Sequence, residues 1–170
     1  MHIIGDGEEI ETTLPGEARW VGSWHPPAAA PDGEPHGAAG PCVTPDGGIV
    51  LVSHDGERWE LPGGRPEPGE DWEQTFHREV LEETCCVVGE ARLLGFSRGR
   101  CLTGPHAGSV LVRSVWRGEV ELAPWAPAFE IRHRRVVAAD QLLSVLNLTP
   151  GWEAVYRRIL HEAGLPPIAR

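Results

Sequence analysis

Residues 64–83 read GRPEPGEDWEQTFHREVLEE, and the rest of the chain is best understood outward from them. A loop of Gly, Pro and Glu, Gly64 to Glu70, feeds a segment over 71–84 that holds neither Gly nor Pro. Trp72, Phe76 and Val80 recur in it every four residues, the spacing of one face of an amphipathic helix. Towards the end of that helix stand Glu79, Glu82 and Glu83, which at about 100° per residue fall within roughly a 100° arc. Like charges three and four residues apart destabilise a helix, and negative charge at its C-terminus opposes the macrodipole. Both penalties act in the same direction, so something should offset them. A hard divalent cation suits the task, because carboxylate oxygens are its preferred ligands and Mg²⁺ bridges such sites to phosphates. Arg78, beside the cluster, would hold one carboxylate in its rotamer. Three glutamates on an arbitrary helix are more often a solvated face; here the spacing around them argues otherwise.

Upstream, CVTPDGGIVLVSH (42–54) carries the β-branched run Ile49 to Val52 behind the turn Pro45-Asp46-Gly47-Gly48, a hairpin signature. A second turn at Asp55-Gly56 leads into Trp59-Glu60-Leu61-Pro62-Gly63-Gly64. Downstream, residues 91–97, 109–116 and 131–138 are strand-like. Two helices are predicted to close the chain. The first starts near Asp140 as N-cap, with Leu142, Leu143 and Leu146. The second has Thr149 as N-cap and Pro150 at its first position, buries Trp152, Val155, Tyr156, Ile159, Leu160 and Ala163, and stops at Gly164. Separated helices among strands indicate one α/β domain. At the other end, residues 1–24 suggest a peripheral strand or two, and HPPAAAPDGEPHGAAGP (25–41) reads as a loop or arm with no regular element. The expected organisation is an extension over 1–40, a catalytic domain over 41–165 and a tail over 166–170.

At 170 residues the chain suits one domain with a real core. It carries 25 acidic residues against 15 basic ones, all Arg, for a net charge of -10. That balance argues against long nucleic acids, which need basic residues to neutralise phosphates. It leaves room for one small anion held through a metal. No apolar run reaches bilayer-spanning length and the N-terminus lacks a signal-peptide pattern, so a cytoplasmic protein is expected. Cys42, Cys85, Cys86 and Cys101 lack zinc-site spacing and read as small apolar residues, the adjacent pair Cys85 and Cys86 being the one candidate for a strained disulfide. The eight histidines show no paired metal spacing. Of the tryptophans, Trp72, Trp116 and Trp152 read as core, while Trp20, Trp24 and Trp125 fit no pattern and include the candidates for stacking on a nucleobase.

Gly64, Glu70, Arg78, Glu79, Val80, Glu82 and Glu83 match in register the Nudix box, G-x5-E-x7-R-E-U-x-E-E-x-G-U, where U is a bulky apolar residue. The segment thus resembles the Nudix hydrolases, and the WELPGG run resembles the family's usual approach to the box. One position departs: Cys85 stands where the family has glycine. A residue with a Cβ in a left-handed helix cap costs about 1 kcal/mol, unless the helix runs further before turning.

The resemblance, which extends over roughly 40–163, implies a Nudix-type α/β/α sandwich around a central mixed sheet. It also implies hydrolysis of a nucleoside diphosphate linked to another group, with Mg²⁺ or Mn²⁺. Carried across, Glu79 and Glu83 would be the principal metal ligands, with Glu82 sharing a cation or its water shell and the Gly63 backbone carbonyl adding an oxygen. Glu70 and Gly64 would shape the loop, and Arg78 would orient a glutamate. Glu130, ahead of the last strand, sits where some members place the general base; the other candidates are the box glutamates themselves. A substrate like an NTP or dNTP is favoured by the WELPGG run, with ADP-ribose or another nucleotide derivative as further options. The runner-up is a Nudix domain that senses a nucleotide or sugar nucleotide without turning it over. The intact carboxylates argue against that. Residues 1–40 could serve as an arm in a homodimer.

Overall fold

A computed structural model describes residues 1–166, so all but the first residue of the tail expected over 166–170 lies outside the described residues. Nine strands make one mixed sheet: β1 (Glu9–Thr13), β2 (Arg19–His25), β3 (Glu34–Ala39), β4 (Cys42–Val43), β5 (Ile49–Ser53), β6 (Gly63–Gly64), β7 (Cys86–Cys101), β8 (Val110–Leu122) and β9 (His133–Val137). The main order is β1-β2-β7-β8-β4-β5-β9. The first half of β8 also pairs in parallel with β3, whose other edge holds β6. Helix α1 (Trp72–Thr84) covers one face, where Phe76 and Val80 pack with Val50, Trp116 and Val120. On the other face α3 (Glu153–Glu162) sets Ala154, Val155 and Ile159 against Trp24, Leu94 and Val115. A third cluster joins Ile49, Leu51 and Val137 to Leu142 of the short α2 (Leu142–Val145) and to Leu160 of α3. The expected sandwich around a mixed sheet is therefore the observed fold.

Within it, the hairpin over 42–54 forms as β4 and β5, the strand-like run 91–97 lies inside the longer β7, and all but the first residue of 109–116 lies inside the longer β8. The reading of residues 25–41 needs correction. Residues 34–39 form β3, inserted between β8 and β6. Small residues beside it are a packing requirement, since a Cβ at Gly40, just past the strand, would overlap the Trp116 backbone and one at Gly63 of β6 would overlap Ala39. Close approach of backbones outweighs the poor strand propensity of Gly and Ala, which is a tertiary effect. The strand or two expected over 1–24 are β1 and β2, and they extend this sheet, because β2 pairs along β7 from Trp20 to His25 and β1 pairs with β2.

The final helices start later than expected. Asp140 lies inside a 3₁₀ turn (Ala139–Gln141) rather than at an N-cap. Thr149 and Pro150 belong to a turn in which Gly151 takes φ 85°, and α3 begins after Trp152 without a side-chain cap. Gly164, at φ 68°, ends it as expected.

Cys85 is the left-handed cap of α1, at φ 57° and ψ 28°, so the helix does not run on past it. All four cysteines are free thiols. The Cys85 thiol makes only a long contact, 3.5 Å, to the Ala126 carbonyl. Cys85→Gly is accordingly expected to stabilise the protein by about 1 kcal/mol, raising the melting temperature by roughly 2–4 °C. A melting temperature that stays level or falls would mean the thiol contributes more than its geometry suggests.

Candidate active site

Helix α1 is positioned by its first turn. Asp71 accepts from the Gln74 N–H at 2.8 Å and the Gln74 side chain accepts from the Asp71 N–H at 2.9 Å, a reciprocal capping box. The loop before it is closed by Glu70, whose Oε1 accepts from the Glu67 N–H at 2.7 Å. Arg78 then ties loop to helix. Its Nε donates to Glu70 Oε2 at 2.7 Å and its Nη2 to Glu70 Oε1 at 2.9 Å, a bidentate pair, while Nη2 also donates to the Arg65 carbonyl at 2.9 Å. The same guanidinium turns Nη1 towards Glu79 Oε1 at 2.8 Å and Glu82 Oε2 at 3.2 Å. These donors hold the Glu70 carboxyl down at about 2, with Arg78 the larger cause and the Glu67 N–H the next.

Glu83 is placed differently. It is 8% exposed, and its Oε1 accepts from the Gly63 N–H at 2.8 Å. Burial pushes its carboxyl up to about 8, the Gly63 N–H pulls it down, and the charges of Glu79, Glu130 and Glu60 push it further up. Burial also raises Glu79 above the usual carboxylate range, with Arg78 opposing and Glu82 and Glu130 adding to the rise. Gly64 has no room for a side chain because a Cβ would overlap the Glu79 carboxylate. That contact explains why the loop needs glycine there.

Glu130 stands in the exposed segment between β8 and β9, yet its charge reaches both Glu79 and Glu83. Arg134 fastens that segment to the end of α1, donating from Nη1 to the Thr84 carbonyl at 2.9 Å and the Ala123 carbonyl at 2.8 Å. It also lies 5.2 Å from the centre of the Trp125 ring, so Trp125 packs against a cation here. In the sequence Arg134 is marked only as part of the strand-like run 131–138.

Glu83 is thus set on Gly63 and Glu79 on Gly64, Glu82 shares the Arg78 guanidinium with Glu79, and the charge of Glu130 reaches Glu79 and Glu83, with Arg78 and Glu70 as supports. Their chemistry fits a hard divalent cation. They are oxygen donors with a surplus of negative charge, and one of the most buried, Glu83, has no cationic partner among the described residues. The match is one of donor type and charge rather than of a closed ligand shell, since among the described residues no three His, Cys, Asp or Glu side chains converge tightly enough to hold a metal ion.

Beside the carboxylates opens a cleft of about 540 Å³ between the α3-facing side of the sheet and the chain leading into α3. Trp20, Trp59, Trp152 and Tyr156 furnish its aromatic wall and Glu60, His36, Arg98 and Arg113 its polar one. Trp152, expected in the core, is half-buried and lies over Gly22, where any Cβ would overlap its ring. Trp24, a stacking candidate by sequence, is fully buried. Cleft and carboxylates are neighbours, because Glu60 acts electrostatically on both Glu83 and Tyr156. Nothing in the local sequence of His36 or Arg113 marks them, since strand pairing alone sets them side by side.

Residues 34–152, well over half of the chain, match the family model of the NUDIX domain. The chain belongs to the Nudix family. Among curated Nudix relatives, "Nucleoside diphosphate-linked moiety X motif 6" of Xenopus laevis is 46% identical over 52 residues, 28% of this chain and 24% of that protein. A Bacillus subtilis protein described as a candidate 8-oxo-dGTP diphosphatase is 54% identical over 37 residues, 21% of this chain and 25% of that one. The chain therefore matches only about a quarter of the length of either. The crystal structure of the Bacillus subtilis pyrophosphohydrolase BsRppH superposes with a TM-score of 0.58 at 22% identity, over 75% of this chain and 77% of that one, a likeness of fold. No helix among the described residues is long and apolar enough to cross a membrane.

Proposed function

We propose that this Nudix protein is a divalent-cation-dependent hydrolase that cleaves the pyrophosphate linkage of a nucleoside diphosphate joined to another group, with a substrate like an NTP or dNTP favoured. One observation carries the reading: a buried carboxylate cluster without enough positive charge adjoins an aromatic cleft large enough for a nucleoside. Glu79, Glu82 and Glu83 would hold Mg²⁺ or Mn²⁺, with the Gly63 carbonyl as a further oxygen. A bound cation supplies neutralisation of phosphate charge and a more acidic water.

The chain's own residues supply the remainder. Arg78 keeps Glu79 and Glu82 in place through Nη1 and anchors both to Glu70. The aromatic wall of the cleft takes the nucleoside and excludes water from it. Glu130 takes a proton from the attacking water as the new P–O bond forms, and the bridging P–O bond breaks with its electron pair leaving on the departing phosphate. The description of the Bacillus subtilis relative supports an NTP-like substrate, as does the WELPGG run.

The test is a panel of NTPs, dNTPs, ADP-ribose, dinucleoside polyphosphates and sugar nucleotides, assayed with Mg²⁺ and with EDTA, for wild type and Glu130→Gln. The wild type is expected to hydrolyse at least one class only with the cation, and Glu130→Gln to lower kcat by about 10²-fold or more with KM little changed. Hydrolysis that survives EDTA would remove the metal assignment. A wild type that binds a compound and turns over none would make the domain a sensor. An unchanged kcat would return Glu130 to the surface.

A further inference from the structure

Arg113 stands out among the arginines of the cleft. It lies on β8 with Leu111 and Val115, alternate residues that all line the cleft, and pairs with Ser97 of β7 and Gly37 of β3. Among the described residues its guanidinium makes no hydrogen bond and no ion pair. Arg98, the other arginine lining the cleft, is by contrast engaged, donating from Nε to the Asp32 carbonyl at 2.8 Å. A point one bond from the Gly37 Cα lies 3.6 Å from Arg113 Nε and 3.0 Å from the Gly64 carbonyl oxygen. Arg113 therefore lies near Gly64, on the sheet face it shares with Leu111 and Val115, while the Glu79 carboxylate approaches the same glycine from α1.

His36 joins it there. This half-buried side chain lines the same cleft; burial first, and then the positive charges of Arg113 and Arg65, hold its imidazole below the ordinary histidine value, so near neutral pH it is an uncharged hydrogen-bonding group. Arg113 and Arg98 thus both line the cleft of a protein whose net charge is -10. At physiological ionic strength charges interact over about 8 Å, so a ligand in the cleft responds to this local cluster rather than to the molecule's net charge. A phosphate entering near Gly64 would otherwise meet the field of Glu60, Glu79 and Glu83. Arg113 offers a planar fork of donors suited to two phosphate oxygens.

We propose that Arg113, assisted by His36, is an anion subsite inside the cleft that takes the phosphate nearest the nucleoside, on the side of the substrate that the carboxylate cluster does not hold. It is a positioning residue that fixes the nucleotide's register along the cleft. The inference rests on the nucleotide reading above.

Calorimetric titration in EDTA tests it, because no cation then bridges phosphate to carboxylates. The probes are adenosine against AMP and guanosine against GMP. Wild type is expected to bind a monophosphate at least tenfold tighter than its nucleoside. Arg113→Gln should bring the monophosphate down to the level of the nucleoside with nucleoside affinity unchanged, and Arg113→Lys should restore part of the difference. Thermal melting of both variants checks that they fold. A phosphate increment that persists in Arg113→Gln would overturn the assignment, as would a wild type that shows no increment. The failure modes separate cleanly: an increment without hydrolysis of any panel compound removes the hydrolase and keeps Arg113, whereas hydrolysis without an increment does the reverse.

Discussion

Glu83→Gln is expected to cut turnover by about 10³-fold while raising the melting temperature of the cation-free protein. The loss follows from the proposed role of Glu83 as a cation ligand, where an amide oxygen is a far weaker partner for a hard divalent ion than a carboxylate. The gain follows from its surroundings. Burial and the charges of Glu79, Glu130 and Glu60 hold the Glu83 carboxyl up at about 8, so at neutral pH folding must work against an ionisation that the unfolded chain enjoys freely. A glutamine has no such penalty, and its carbonyl oxygen can still accept from the Gly63 N–H that now bonds Glu83 at 2.8 Å.

A second measurement separates ligand from bystander. At a hundredfold excess over its dissociation constant a cation stabilises the folded state by about 2.7 kcal/mol, which is roughly 5–10 °C for a chain of this length. Mg²⁺ should therefore raise the wild-type melting temperature and leave that of Glu83→Gln nearly unmoved. Turnover within tenfold of wild type, or an equal rise with Mg²⁺ in both proteins, would show that Glu83 is not a ligand.

Arg78→Ala should damage stability and activity together. Its side chain, 21% exposed, serves Glu70, Glu79, Glu82 and the Arg65 carbonyl at once, and Glu70 is itself only 16% exposed. Removing one partner of a buried ion pair costs about 3–5 kcal/mol, and the partial exposure here reduces that to about 2 kcal/mol. Melting should fall by roughly 4–8 °C. The carboxylates it orients would lose their fixed rotamers, a change that elsewhere lowers metal affinity or activity by about 10–100-fold. Arg78→Lys is expected to recover little, because an ammonium is a point charge that cannot span both Glu70 oxygens and still reach Glu79. Full activity in Arg78→Lys would mean that charge alone suffices and that the bidentate geometry is incidental.

The contrast between Glu83 and Arg113 explains how far the sequence could be read. Glu83 lies thirteen residues after Glu70 in one continuous segment, so the helix period and the register of the box place it without knowledge of the rest of the molecule. Glu130 was legible only by its position ahead of the last strand. Its nearness to Glu79 and Glu83 depends on Arg134 pinning the intervening segment to the end of α1. Arg113 was not legible at all. Its neighbours Gly37, Ser97, Tyr156 and Gly64 come from four distant places in the chain.

By itself the sequence determined the family, the sandwich fold, the carboxylate helix and the arginine that organises it, because those features are written in local spacing and a single helical period. Tertiary structure decided that residues 34–39 are an inner strand, that Cys85 accepts a left-handed conformation, and that Trp152 lines a cleft as well as packing against the core. It also decided which cations stand near the glutamates. The physical reason is common to all but one of these. Apart from the local cap at Cys85, each depends on how closely remote segments can approach, and small residues such as Gly22, Gly37, Gly40 and Gly63 permit that approach without announcing what they will meet.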